Sequence, residues 1–446
     1  MKKKQRGDSL KGVPASMSRR RVLVGGASMI AGTALGLRSP RIFAAAEDEE
    51  IRVGWITALS GKLAGLTKQD PYIMQLAEKA VASGISVGGK KYRIRFLQED
   101  SQSSPSRASQ LASDLITKEH VHLILVQPTP DVVNPVSDAC EAASVPSLGT
   151  SDPLESFFFG RGGKIGQPGP FKWTFDFFPD AKLWVNSYLS TWSKLQTNKK
   201  VGVLYPNDAD GMAFRHAFPP IMEKHGYKVI DPGPYQDGTT DYTTQIALFN
   251  KENCQIFNTV GIPDDVNTFW RQAAQLHYAQ KVLIAQFAKA GQVPSQVTVL
   301  GPLGFGLTTA IFWTPVFPYK SPLTGMTSRQ LADDYENRFH ELWNGQVGPS
   351  MALAELGVAA LKAAKDPTSH GAIRDAIANL DLVTTVGRVD FRNGPYPGTA
   401  TSPIIGVQWV KPKAGSKFPL DCVTIEHAND TAVPIQRKLV AYNQGL

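Results

Sequence analysis

From residue 51 onward the chain alternates short β-branched or aromatic runs with stretches of helical periodicity. No other feature restricts its fold as much. Ile51-Arg52-Val53-Gly54-Trp55-Ile56 reads as a first strand and ends in Ala58-Leu59-Ser60-Gly61. Asp70-Pro71 predicts a helix cap, and Ile73, Leu76, Ala77, Ala80 and Val81 follow at helical spacing. Tyr92, Ile94 and Phe96 alternate with Arg93 and Arg95 in a second strand, and Ser104-Pro105 opens the next helix. Such alternation builds a parallel sheet covered by helices on both faces.

The stretch from Leu123 to Glu155 shows where such a sheet would hold a ligand. An apolar run, Val121 to Val126, predicts a buried strand that breaks at Gln127-Pro128-Thr129-Pro130. Pro130 suits the first position of a helix, and Thr129 before it suits the N-cap. A second strand, Val145 to Leu148, ends in Gly149-Thr150-Ser151-Asp152-Pro153 and opens another helix in the same way. Two neighbouring strand ends thus face one crevice with backbone N–H groups and hydroxyls, the place where open α/β sheets bind ligands. Ordinary strand-to-helix turns begin the same way, so this stretch alone does not decide between the two.

The pattern pauses over Phe157 to Pro179, rich in glycine and aromatics, and then restarts. Strands are predicted at Val201–Leu204, Tyr227–Ile230, Ile256–Val260 and Lys281–Ala285, with helices between them, one of them capped by Asp241. This is a second lobe on the same plan. Two long helices, about Ser328–Trp343 and Met351–Lys365, and a short one near Ile373–Asn379 lead to a final run of strands. Helices so far along the chain imply that it crosses back between lobes.

Of 446 residues, 47 are basic and 39 acidic, a net charge of +8 that points to nucleic acid or membrane. The excess lies in residues 1–46, which hold ten basic residues and one acid; beyond them the balance is 37 to 38. Nucleic-acid binding loses its support. Those 46 residues read instead as an export signal. Ser18-Arg19-Arg20-Arg21-Val22-Leu23 resembles a twin-arginine motif, a weakly apolar run reaches Leu37, and Ala44-Ala45-Ala46 offers a cleavage site. Three cysteines, Cys140, Cys254 and Cys422, exclude a disulfide-rich scaffold, and pairing of Cys254 with Cys422 stays open.

The order and spacing of these features over residues 51–430 resemble the substrate-binding proteins of ABC importers of the branched-chain amino acid type. The strand before Ala58-Leu59-Ser60-Gly61, the polar loop at Gln127–Asp131, the small-residue turn at Gly149–Pro153 and the spacing from Asn253 to Gln286 carry the resemblance. It implies an α/β fold of two Rossmann-like lobes with parallel central sheets, joined by a three-segment hinge: the periplasmic binding protein type I arrangement. The lobes are placed at 51–172 plus 325–386 and at 178–310 plus 395–446, with crossings near 172–178, 310–327 and 385–395. The function implied is a periplasmic receptor that binds a carboxylate-, amide- or amino-acid-like solute between closing lobes. It would deliver that solute to permease and ATPase subunits in the inner membrane, and the mature protein is expected to be a monomer.

By position, the resemblance implies ligand contacts at Gln127, Thr129, Gly149, Ser151, Asp210, Ile262, Gln286 and Leu66. Gln286 stands where the family has an acid that pairs the ligand's ammonium. The solute is therefore expected to carry a carboxylate or amide but no obligatory ammonium. No catalytic, cofactor or metal site is expected. Gly301–Gly306 lacks the spacing of a dinucleotide loop, Arg161–Lys164 is no phosphate loop, and no G-x-S-x-G is present. His120 and His122 have no Cys or acid spaced to complete a metal site. Phe157–Phe159, Trp173, Phe175, Phe177 and Phe178 suit either a cleft wall or packing around the hinge. A secreted enzyme on a similar fold and a sensor domain of a signalling receptor are the alternative readings.

Overall fold

The chain follows the predicted alternation closely, as the computed structural model shows for residues 49–444 apart from 168 and 170. The export signal expected over residues 1–46 lies outside the described residues. In chain order the first half comprises β1 (Glu49–Thr57), α1 (Asp70–Ala80), β2 (Ile85–Val87), β3 (Lys90–Asp100), α2 (Pro105–Thr117), β4 (Leu123–Val126), α3 (Thr129–Ala143), β5 (Ser147–Thr150), α4 (Leu154–Phe159) and β6 (Thr174–Phe177). Next come α5 (Ala181–Trp192), β7 (Lys200–Leu204), α6 (Ala209–Lys224), β8 (Lys228–Ile230), α7 (Thr243–Glu252), β9 (Ile256–Thr259), α8 (Pro263–Gln275), β10 (Ile284–Phe287), α9 (Pro294–Val299) and β11 (Thr308–Ile311). The last part holds α10 (Ser328–Phe339), α11 (Val347–Ala363), α12 (His370–Ala378), β12 (Asp381–Thr384), β13 (Gly387–Asp390), β14 (Thr399–Ala400), β15 (Ile405–Val410) and β16 (Asp421–Thr424).

Among the described residues the strands form two seven-stranded sheets and one hairpin, β12–β13. The first sheet runs β14-β6-β5-β4-β1-β3-β2 and the second β16-β15-β11-β10-β9-β7-β8. All pairs in the first are parallel except β2–β3; in the second β15 runs antiparallel to both β11 and β16. The central strands are buried on both faces, which is why Leu123-Ile124-Leu125-Val126 is a continuous apolar run. Amphipathic helices cover them; α1 turns Ile73 and Ala77 inward. The Thr327 and Gln330 side chains close a capping box at the start of α10.

The chain passes between sheets after β6, between β11 and α10, and between β14 and β15. The last passage, at 401–404, lies beyond the 385–395 stretch read from the sequence. Helix α11 packs against α1 and the first sheet. Three local expectations need correction. Asp70 does not cap α1 but sits inside its first turn, and Gln69 precedes it. Asp241 lies one residue ahead of the Tyr242 cap of α7 and binds the Thr243 N–H and hydroxyl. Thr129 belongs to α3 with φ +60°, while Pro128 holds the cap position and no side chain caps the helix. Cys140, Cys254 and Cys422 are buried free thiols.

Candidate functional site

Both sheets end their parallel strands at one narrow cleft. From the first sheet, Thr129 follows β4 and Ser151 follows β5; Leu66 comes from the loop after β1. From the second, Phe178 and Trp184 precede and begin α5, Asp210 and Phe214 lie on α6, Lys289 follows β10 and Phe312 follows β11. Rings make up much of the second wall. Phe178 and Phe312 lie 4.4 Å apart between centroids, and Trp184 meets Phe214 edge-on at 5.3 Å.

Thr129 and Ser151 both adopt left-handed backbone, φ +60° and +64°. Non-glycine residues held there store strain, and such strain gathers at binding sites. The Thr129 N–H donates to the Ser151 carbonyl at 3.0 Å and so ties the two turns together. The Thr129 hydroxyl is buried without a partner. Ser151 Oγ donates to Gln346 Oε1 at 2.9 Å, and Gln346 Nε2 donates to Gln292 Oε1 at 2.8 Å. This chain of three polar side chains spans from the first sheet to the second. At the mouth, Lys62 of the first lobe meets Asp237 of the second at 2.5 Å. The lobes are closed on each other.

Charge inside the cleft is concentrated on Asp210 and Lys289. Lys289 Nζ lies 2.8 Å from Asp210 Oδ2 and 3.5 Å from Asp208 Oδ2. Burial works against the Lys289 ammonium, but Asp210 and Asp208 outweigh it and hold its pKa above the ordinary lysine value. Burial raises the pKa of Asp210 in spite of Lys289. Behind Ser151, Asp152 and Asp176 are fully buried. Asp176 meets no donor at hydrogen-bond distance, and the Ser156 hydroxyl is the donor that faces Asp152. Burial, reinforced for Asp152 by Asp176 and Asp210, pushes both pKa values well above the carboxylate range.

Of the residues read from the sequence, Leu66, Thr129, Ser151 and Asp210 line the cavity. Gln127 is buried beneath it, where Nε2 donates to Asp70 Oδ1 at 2.5 Å and to Ser350 Oγ at 2.8 Å. Burial raises the pKa of Asp70 to about 6, against donors from Thr57, Ser350, Gln127 and Gln69. Gly149 is a packing position: a Cβ there would lie 2.7 Å from Asp176 Oδ1 and 2.9 Å from Val133 Cγ1. Ile262 belongs with Leu63 and Leu66 to one buried apolar cluster. Gln286 does not line the cavity; its Oε1 accepts from Thr308 Oγ1 at 3.0 Å. The charged group that does arrive there is Lys289, three residues on. The expectation of a solute without ammonium, which leaned on Gln286, therefore loses its footing. Reading from the sequence also passed over Lys289, Trp184, Gln292, Phe312 and Gln346. Phe178 reaches the cavity, whereas Phe175 and Phe177 belong to the core. His122 accepts from the Arg52 N–H at 3.0 Å, with the His370 ring 6.4 Å away.

A family model described as periplasmic binding protein matches residues 50–416. An uncharacterized protein of Methanocaldococcus jannaschii is 22% identical over 241 residues; the match spans 54% of this chain and only 56% of that protein. The fold is shared with a leucine binding protein from Thermotoga maritima, at a TM-score of 0.67 and 14% identity over 85% of this chain and 99% of the other. A branched-chain amino acid substrate binding protein from Streptococcus pneumoniae, in complex with isoleucine, gives 0.64 and 15% over 88% and 100%. A solute binding protein from R. palustris, in complex with 4-hydroxybenzoate, gives 0.69 and 16% over 86% and 98%.

Proposed function

The chain belongs to the periplasmic binding protein family, and on that premise we propose that it is the extracytoplasmic solute receptor of an ABC importer. The observation that carries the reading is the cavity closed between strand ends of two sheets and bridged by Ser151, Gln346 and Gln292. A solute that touches both walls does so only when the lobes are closed, so it stabilises closure by its differential affinity for that state. The ring-lined wall and the polar turns at Thr129 and Ser151 suit a small solute with an apolar or aromatic body and a polar head. We assign its contacts to Leu66, Thr129, Ser151 and Asp210. A permease and an ATPase in the inner membrane are the partners this role requires, and export by the twin-arginine route the location.

A thermal-shift panel tests the reading directly. It should contain leucine-like amino acids, short amides and aromatic acids such as 4-hydroxybenzoate. A solute at a hundred times its dissociation constant stabilises the fold by about 2.7 kcal/mol. At least one class should do so and should be recovered unchanged after incubation. Conversion of the bound compound would favour the enzyme reading instead.

A further inference from the structure

Asp210 is the acidic side chain that lines the cavity, and half of its carboxylate is unused. It stands in the first turn of α6, 5% exposed. Oδ2 receives Lys289 at 2.8 Å, whereas Oδ1 is buried and receives nothing. Lys289 has a second acid to serve, Asp208 at 3.5 Å. A carboxylate oxygen is an acceptor only, so whatever completes Asp210 must donate. Other open atoms surround the same space. Thr129 Oγ1 on the first-lobe wall and the Trp184 indole N–H on the second are also buried without partners. The charge balance points the same way. Asp208 and Asp210 share the single ammonium of Lys289, and Asp131 lies close enough to act on both, so a donor with positive character gains most.

We propose that Asp210 sets the specificity of the cleft by accepting, at Oδ1, a hydrogen bond from an amine, amide or hydroxyl group of the solute. The proposal rests on the receptor reading above. Lys289 then acts as the positioning residue that fixes the carboxylate's orientation, and the donor-poor solute is the one rejected. Rejection follows because a donor-free analogue leaves the acceptor buried and unpaired.

Calorimetric titration with matched pairs tests it: leucine against 4-methylpentanoate, and 4-hydroxybenzoate against benzoate. In each pair the members differ by one donor group. The donor-bearing member of at least one pair should bind about tenfold or more tighter, the factor expected for one unpaired buried acceptor. In Asp210→Asn, Lys289 keeps the remaining oxygen and the amide N–H faces the solute, so the preference should shrink to less than about threefold or reverse. Equal binding of both members by the native protein overturns the assignment and leaves the receptor reading standing. An unchanged preference in Asp210→Asn does the same. Binding by none of the four at millimolar concentration removes the receptor reading for small carboxylates and this assignment with it. Should Asp210→Asn fail to fold, the comparison within the native protein decides alone.

Discussion

Asp152 and Asp176 sit buried in the first lobe, with the Ser156 hydroxyl facing Asp152 and no donor for Asp176. Two such groups cannot both ionise cheaply in a buried site. Their pKa values are raised in the fold, by burial first, while in the unfolded chain an aspartate titrates near 3.9, so from about pH 4 upward the fold holds protons that the unfolded chain does not. Stability should therefore fall as pH climbs above about 4. Asp70, raised to about 6, and Glu355, raised to about 7 by burial against its Thr385 and Ser321 partners, act in the same direction. Asp152→Asn removes one member of the pair. Urea midpoints measured from pH 5 to 8 should show a shallower decline for this variant and higher stability at the alkaline end; an identical slope would reject this account of the buried acids. At this scale the sequence pointed to Thr129, Ser151 and Asp210, all of which line the cleft, through their position in the family resemblance rather than through any motif of their own. It did not point to Lys289, since Phe287-Ala288-Lys289 carries no motif and its carboxylate partners lie some eighty residues away.

The helices and strands were far more legible than the residues that line the site. Buried parallel strands announce themselves as unbroken apolar runs, and the helix over Val347–Ala363 was located to within a few residues by composition alone. What composition could not convey is why α11 is buried almost all round. The first sheet, α1 and α12 enclose it, and Trp313 meets its first turn at Gly348. Gly348 marks the closest approach: a Cβ there would lie 2.3 Å from Trp313 Cβ and 2.4 Å from its Cγ. At Gly357 the nearest atom is 3.0 Å away at the end of the flexible Leu125 side chain. The two glycines should thus respond differently to the same change. Gly348→Ala is expected to lower stability by about 1–3 kcal/mol through overpacking. In Gly357→Ala the small repacking cost is offset by alanine's helix preference of up to about 1 kcal/mol. Denaturant midpoints of the two variants give the answer, and equal losses at both positions would contradict this packing account. Local capping was where element-level reading failed, because Thr129 takes left-handed backbone that no propensity predicts.

Across the whole molecule, closure is held by few direct polar links. The Lys62–Asp237 pair at the mouth is partly exposed, 38% and 27% at the side chains, so it is worth about 0.2–1 kcal/mol and is weakened by salt. Lys62→Met should leave the melting temperature of the free protein nearly unchanged. It should raise the radius of gyration measured by X-ray scattering and weaken solute binding by a factor of about 1.5 to 5, less at high salt. A variant with unaltered affinity at low salt would show that the pair contributes nothing to closure. The exchange of strands at the far end of the chain has another consequence, which concerns when the molecule can fold. β6 is covered on its outer side by β14, and β11 by β15 and then β16. During synthesis both sheets therefore wait, with one edge bare, until almost the last fifty residues have emerged. Bare edges invite pairing with other chains. The two lobes thus cannot mature one after the other, and completion of each depends on the same late segment.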